Sequence, residues 1–395
     1  MRRFSSTLIL GLLLLVMASP LTAMAAPTRQ DVVITFSVTC IDGSGGAVLH
    51  PGATVPTLSN TFNIANVLNT LNAWITADLL LPDRVLIENM TAWVEDLQVT
   101  SPSTDPSYGG FLPNPDALNA TIMASYFAFH TLDLLNTTSV INNETLVDFV
   151  VNLQRTNATE YPNTLGGFAD TATNNATVAA TYFALQTLDS LGELSQINQS
   201  LAIAWVNSSQ ILTNPTSPSY GGFTNGYGGI TADLQTTFMA LRSLEILGQL
   251  SIIDQTAARD YILPHYRTDT NYPQFYGGFS LTPDDPVATQ LATFYAVAGL
   301  QILNADSQLS TSDITTWVLN TQTADGGFAD ITGSTGFAPQ TNFAISTLDL
   351  LDQLPALLGP FGPEPFIFPW WIVAAVIIIV IIILFVICAR RAEWF

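Results

Sequence analysis

The chain has 395 residues and not one lysine; its 10 basic residues are all arginine, set against 31 Asp and Glu for a formal charge of −21. A surface so poor in cations excludes a nucleic-acid partner, because phosphate binding needs Lys and Arg to neutralise the backbone. The same imbalance suits a salty exterior, an acid-tolerant surface or cation binding. Cysteine is nearly absent: Cys40 and Cys388 are too few for a disulfide framework. Histidine occurs only 3 times.

The two ends are apolar. Residues 1–25 read as a secretory signal, with Arg2-Arg3 ahead of the apolar run Leu8 to Val16 and a small-residue site at Ala23-Met24-Ala25. The run is too short to read as an uncleaved anchor. Residues 355–369 are rich in Pro, Gly and Phe and read as a stiff stalk. Residues 370–389 carry no charge and are long enough for a transmembrane helix. Trp370-Trp371 suit the outer interface and Arg390-Arg391 the cytoplasmic side, leaving residues 390–395 as a short tail. The expected topology is single-pass type I at the cell membrane, with an extracellular ectodomain. In that topology Cys40 and Cys388 cannot pair.

What is abundant is repetition. Gly-Gly-Phe occurs at Gly109, Gly166, Gly221, Gly277 and Gly326, at spacings of 49 to 57 residues. A period near fifty means one supersecondary unit copied and stacked. The copies agree well beyond the glycines. Ala128, Ala184, Ala240, Ala296 and Ala344 stand in register, as do Leu132, Leu188, Leu244, Leu300 and Leu348. A second segment in each unit ends alike, on Trp93…Gln98, Phe149…Gln154, Trp205…Gln210, Tyr261…Tyr266 and Trp317…Gln322. Each unit is therefore a glycine loop, a helix, a short turn, a second helix and a longer loop. A degenerate first copy, Phe62 to Gln98, lacks its own Gly-Gly-Phe, so the pattern predicts six helices of the first type and five of the second. Residues 26–57 read as a small β-element, because Ile34, Phe36, Val38 and Cys40 alternate with Thr35, Ser37 and Thr39. Residues 58–354 form the repeat domain.

Gln322-Thr323-Ala324-Asp325-Gly326-Gly327-Phe328 and the helix pattern after it resemble the repeat of protein prenyltransferase β-subunits and squalene cyclases; Tyr108-Gly109-Gly110-Phe111 and Tyr220-Gly221-Gly222-Phe223 are looser copies. The resemblance covers roughly Phe62 to Leu354 and implies an all-α fold. It would be an α/α toroid of about six helix pairs, with the helix after each glycine loop in the inner ring. Independently of any family, adjacent glycines allow a tight turn and close backbone approach, so Gly-Gly-Phe reads as scaffold.

At 100° per residue, Ser125, Thr181, Thr237, Thr293 and Thr341 share a stripe with the register Ala and Leu positions. Small, uniform residues there fit contact between packed rings. The opposite face carries Tyr126, His130 and Asp133, then Tyr182, Gln186 and Asp189, then Phe238, Arg242 and Glu245. Phe294, Ala298 and Gln301, and then Asn342, Ser346 and Asp349, complete it. If these helices are inner, that face is an aromatic lumen with scattered polar groups, the composition of a ligand cavity. A wet funnel wall is the equal alternative. His130 and Asp133 stand three apart, a spacing common on helices without catalytic meaning, and a satisfied structural histidine is the expected reading.

The resemblance implies zinc in a prenyltransferase, held by Asp, Cys and His. No Cys lies in residues 58–354, and Ala124 or Ala180 stands where the family His would fall, so Zn is not expected. The Asp-x-Asp-Asp acid of a squalene cyclase is also missing; Asp284-Asp285 is the only adjacent pair of aspartates. Asp116, Asp170, Asp284, Asp285 and Asp330 follow glycine loops and gather at one mouth of a toroid. They are candidate Ca²⁺ ligands or, singly, helix caps. Sequons begin at Asn89, Asn119, Asn136, Asn143, Asn157, Asn175, Asn198 and Asn207, and are glycosylation candidates if the chain is exported. The missing chemistry argues for a non-catalytic surface protein that binds a ligand or partner. The alternative is an enzyme — transferase, cyclase or lyase — acting on an isoprenoid-like or glycan substrate in the lumen.

Overall fold

The computed structural model describes residues 26–362, apart from Arg84 and Thr332. Among them are thirteen α-helices and two short two-stranded sheets. Six helices form an inner ring: α2 (Leu58–Thr70), α5 (Ile122–Leu134), α7 (Val178–Leu191), α9 (Leu234–Ile246), α11 (Gln290–Ile302) and α13 (Ala338–Leu350). Each packs on the next, and α13 packs on α2, so the ring closes. Six more wrap it: α1 (Arg29–Thr39), α4 (Leu86–Glu95), α6 (Asn143–Asn152), α8 (Gln199–Ser208), α10 (Gln255–Ile262) and α12 (Thr311–Asn320). The remaining helix, α3 (Trp74–Leu80), occupies the inner-to-outer connection where later units have a single 3₁₀ turn. The sheets pair β1 (Phe168–Ala169) with β2 (Ala176–Thr177) and β3 (Phe279–Ser280) with β4 (Ala288–Thr289), inside the glycine loops. The toroid comprises Arg29–Gly359.

The expected β-element of residues 26–57 is corrected: its core is the outer helix α1. The alternation of Ile34, Phe36, Val38 and Cys40 coincides with helical burial of Val33, Phe36, Ser37 and Cys40. Local β preference is weak, and ring closure outweighs it. Ser37 and Thr35 are accommodated by donating their hydroxyls to the carbonyls of Val33 and Asp31 one turn back. The toroid therefore begins at Arg29, not at residue 58. The degenerate copy also has a glycine pair, Gly45-Gly46, with Ala47 where the others have Phe.

A six-fold clamp explains the repeat. The first glycine of each pair, Gly45, Gly109, Gly166, Gly221, Gly277 and Gly326, has φ between 87° and 99°, a region that side chains disfavour. A methyl on any of them would overlap a backbone carbonyl in the next outer helix, at Asn89, Thr145, Leu201, Ala257, Asp313 and Val32 respectively. The last partner lies in α1, so the first outer helix clamps the last loop. The second glycine meets an aromatic ring of the same helix: Trp93, Phe149, Trp205, Tyr261, Trp317 and Phe36. The following Phe is fully buried in all five copies. Its N–H donates to the Ser or Thr of the inner helix at 2.9–3.1 Å, and Ala47 N–H does the same to Thr61. The Gln side chains bridge units: Gln98, Gln154 and Gln210 each exchange two hydrogen bonds with the backbone at the next outer helix's cap. At the seam Gln322 donates to Arg29 O, and Arg29 Nη1 donates back to Gln322 Oε1.

Residues 370–389, where a transmembrane helix is expected, lie outside the described residues, as do residues 1–25. Among the described residues no helix is long and apolar enough to cross a membrane.

Candidate functional site

The lumen begins as a belt of rings on five of the six inner helices. Phe62, Tyr126, Tyr182, Phe238 and Phe294 follow one another with centroids 5.8–6.1 Å apart. That spacing and their tilted planes are the favourable arrangement for aromatic pairs. Asn342 takes the sixth place and donates to Asn63, while Asn66 donates to Asn342 across the α2–α13 seam. A second layer, one residue further along, is absent from the sequence expectation: Phe127, Phe183, Tyr295 and Phe343 pack against the belt. The signal was the adjacent aromatic pair in Tyr126-Phe127, Tyr182-Phe183 and Phe294-Tyr295. That these groups meet in the lumen follows from cross-ring neighbours: Tyr126 on α5 lies within electrostatic reach of Tyr295 on α11 and Arg242 on α9.

Burial, and then the Tyr182 hydroxyl, push Tyr126 well above the usual phenol range. Burial likewise raises Tyr182, whose oxygen accepts from Gln186 Nε2 at 3.4 Å. The His130 ring is tilted against Tyr126 with centroids 4.4 Å apart, and burial lowers its pKa to about 4. It is therefore neutral at ordinary pH, and its Nε2 is buried without a hydrogen-bond partner. Asp133 is exposed at the end of the helix, and no hydrogen bond joins it to His130.

Beyond the belt, toward the C-terminal ends of the inner helices, lies a cavity of about 360 Å³. Phe238, Phe294, Ala298, Ile302 and Leu350 give it apolar walls; Arg242, Glu245 and Gln301 give it a polar edge. Arg242 is paired with Glu245 at 2.5 Å, and Gln301 donates to Leu350 O at 2.7 Å. Asp189 is exposed at the same level. The structure thus brings Tyr126, His130, Tyr182, Gln186, Phe238, Arg242, Glu245, Phe294 and Gln301 to one funnel.

The loop carboxylates are placed differently. Asp170 Oδ1 accepts from Met123 N–H at 3.0 Å, at the start of the preceding inner helix. Asp330 Oδ1 accepts from Gln290 N–H at 2.7 Å in the same way. Asn225 does so for Ala179. Asp285 holds Val287 N–H within its own loop, and Asp116 is exposed. The loop acids thus act one by one. Among the described residues no group of three or more His, Cys, Asp or Glu is placed to hold a metal ion. Cys40 is buried, its thiol pushed up to about 12 by burial and then by Asp325. Of the sequons, Asn119, Asn136, Asn157, Asn175 and Asn198 are exposed, while Asn89, Asn143 and Asn207 are half-buried. Asn143 Nδ2 already donates to Thr138 O.

The prenyltransferase α/α-toroid domain model matches residues 8–157 and 115–329. The β-subunit of geranylgeranyl transferase type-1 from Arabidopsis thaliana is 31% identical over 168 residues, 39% of this chain and 40% of that subunit. The chain thus matches well under half of the length of that relative. Among solved structures, Candida albicans protein geranylgeranyltransferase-I complexed with GGPP is similar with a TM-score of 0.59 at 15% identity, covering 78% of this chain and 87% of that one. A type II terpene cyclase from Scytonema, in complex with merosterolic acid A, gives a TM-score of 0.52 at 13% identity, covering 84% and 97%. The zinc site of a prenyltransferase does not fit here: Ala124 and Ala180 offer no ligand atom, and no metal-holding group exists among the described residues. The expectation of a non-catalytic cell-surface binding protein is nonetheless overturned, because the matched relatives are enzymes named for isoprenoid chemistry. The absence of two families' catalytic residues removes particular chemistries and leaves the lumen in place. Because the two matches together span residues 8–329 and six helix pairs close into a ring, the chain belongs to the prenyltransferase α/α-toroid domain family.

Proposed function

We propose that this protein is an enzyme that binds an isoprenoid-like chain in the toroid lumen and acts on it there. The observation that carries the reading is the aromatic belt on five of six inner helices, opening on the cavity of about 360 Å³. Branched hydrocarbon gains burial against such walls at roughly 25 cal/mol per Å². Ring faces also stabilise positive charge that develops on a bound alkene. Within this site Phe238 and Phe294 hold the chain, and Tyr126 and Tyr182 form the floor. His130 remains neutral at the floor's edge because burial disfavours its charged form, which makes it the candidate proton acceptor.

The test is native mass spectrometry of the purified protein after incubation with C15 to C30 isoprenoids, followed by product analysis of the extract. Retention of one ligand per chain, lost on Ala298→Trp, supports the site, since tryptophan would fill the cavity. Equal retention by the variant places the ligand elsewhere, and no retention overturns the reading.

A further inference from the structure

We infer that the lumen takes an isoprenoid whose head carries no negative charge, and that its mouth rejects prenyl diphosphates. This rests on the lumen reading above and adds the charge class of the substrate.

The cavity is lined by α9, α11 and α13 and opens toward the C-terminal ends of the six inner helices, which run the same way. Their macrodipoles therefore point negative ends at this mouth. On the last turn of these helices stand Asp133, Asp189, Glu245 and Asp349, one per helix, all exposed. Against this, the six inner helices contain a single cationic side chain, Arg242, and it is already paired with Glu245 at 2.5 Å. The other described arginines are committed elsewhere. Arg155 and Arg267 donate to loop carbonyls, Arg29 to Leu319 O and Gln322, and Arg259 to Asp260. The positive ends of the inner helices lie at the opposite mouth. There Thr57, Thr121, Thr177, Asp233 and Thr289 side chains cap five of them.

A diphosphate placed at the cavity mouth would therefore meet carboxylates and helix C-termini, with no free cation among the described residues to balance it. A metal bridge is the one escape, since Mg²⁺ held by carboxylates can carry phosphates. The mouth acids sit on separate helices, and no three of the described acids, His or Cys converge on a metal position. An uncharged head, hydrocarbon or alcohol, meets none of this repulsion, and the funnel walls bind its chain.

The experiment compares geranylgeraniol with geranylgeranyl diphosphate on the full chain, by calorimetry at low salt, with Mg²⁺ and with EDTA. The alcohol is expected to bind at least about tenfold more tightly than the diphosphate in both conditions. Added salt should narrow that gap through screening. The combined change Asp133→Asn, Asp189→Asn and Asp349→Asn should narrow it too while leaving alcohol affinity unchanged; a gap that the triple variant leaves intact overturns the role of the mouth. Diphosphate binding equal to or tighter than the alcohol, with or without Mg²⁺, overturns the inference and leaves the lumen reading standing. If neither ligand binds, the lumen reading itself fails and this inference with it.

Discussion

The seam between the two rings and the face of the inner ring toward the lumen are built from the same helices, yet they differ in how far the repeat is kept. At the seam each unit repeats one solution: glycine at positive φ, an aromatic ring over the second glycine, a Ser or Thr accepting the next N–H. Even the divergent copy obeys it, with Gly45-Gly46-Ala47 against Trp93 and Thr61. Toward the lumen the units diverge. The position four residues past the belt is Asn66, His130, Gln186, Arg242, Ala298 or Ser346 in turn. The teaching is that packing allows one answer at a close backbone contact, whereas a cavity wall is free to vary, so individuality marks the surface that meets a ligand.

The comparison breaks most completely if α1 is removed. Deleting residues 29–41 takes away the clamp on Gly326 and the aromatic cover of Gly327, contributed by Val32 and Phe36. The ring then stays open and no cooperative melting transition should remain by circular dichroism; a normal transition would mean that α1 is an accessory to the fold. Next in size is Gly277→Ala. It combines positive φ with overlap on the Asp313 carbonyl, and about 3 kcal/mol of stability should be lost in urea titration. A loss under about 1 kcal/mol would show that the loop can retreat from the helix.

His130 sharpens the lumen side. Its folded pKa, about 4, lies below the ordinary 6.5, so the unfolded chain binds the proton first. Stability is then fully present above pH 6.5 and is lost as pH falls toward 4, by at most about 3 kcal/mol. The slope in that window should be smaller in His130→Phe than in the wild type. Identical pH–stability curves would place His130 in water. The smallest effect belongs to the capping carboxylates. Asp170→Ala removes one acceptor from the start of α5 and should cost about 1 kcal/mol, with no dependence on Ca²⁺. A melting temperature that rises with millimolar Ca²⁺ in the wild type, and not in this variant, would instead indicate a bound ion.

Much of the architecture was legible because the repeat is read in register. Residues such as Ala184 and Leu188 recur at fixed offsets, and fixed offsets on helices put them on one stripe. The helices and their aromatic face followed from that, down to Tyr126, Tyr182, Phe238 and Phe294, while their place in an inner ring followed from the resemblance to the toroid family. What failed was the copy with the weakest register. Phe36 is the sixth aromatic clamp, but the β-branched residues around it read locally as a strand. The functional expectation failed for a different reason, since missing motifs speak against two mechanisms and cannot describe a cavity.

By itself the sequence determined the repeat, the alternation of two kinds of helix, the glycine loops and an aromatic face. These are periodic properties, and period survives without knowledge of neighbours. Only the tertiary structure decided that α1 closes the outer ring, that Asp170 and Asp330 cap the helix of the preceding unit, and that His130 is held neutral under Tyr126. Each of those depends on packing between units: stacking of neighbours sets Asp170 and Asp330 against the preceding helix and buries His130, and ring closure places α1 against the loop after α12 and α2 against α13.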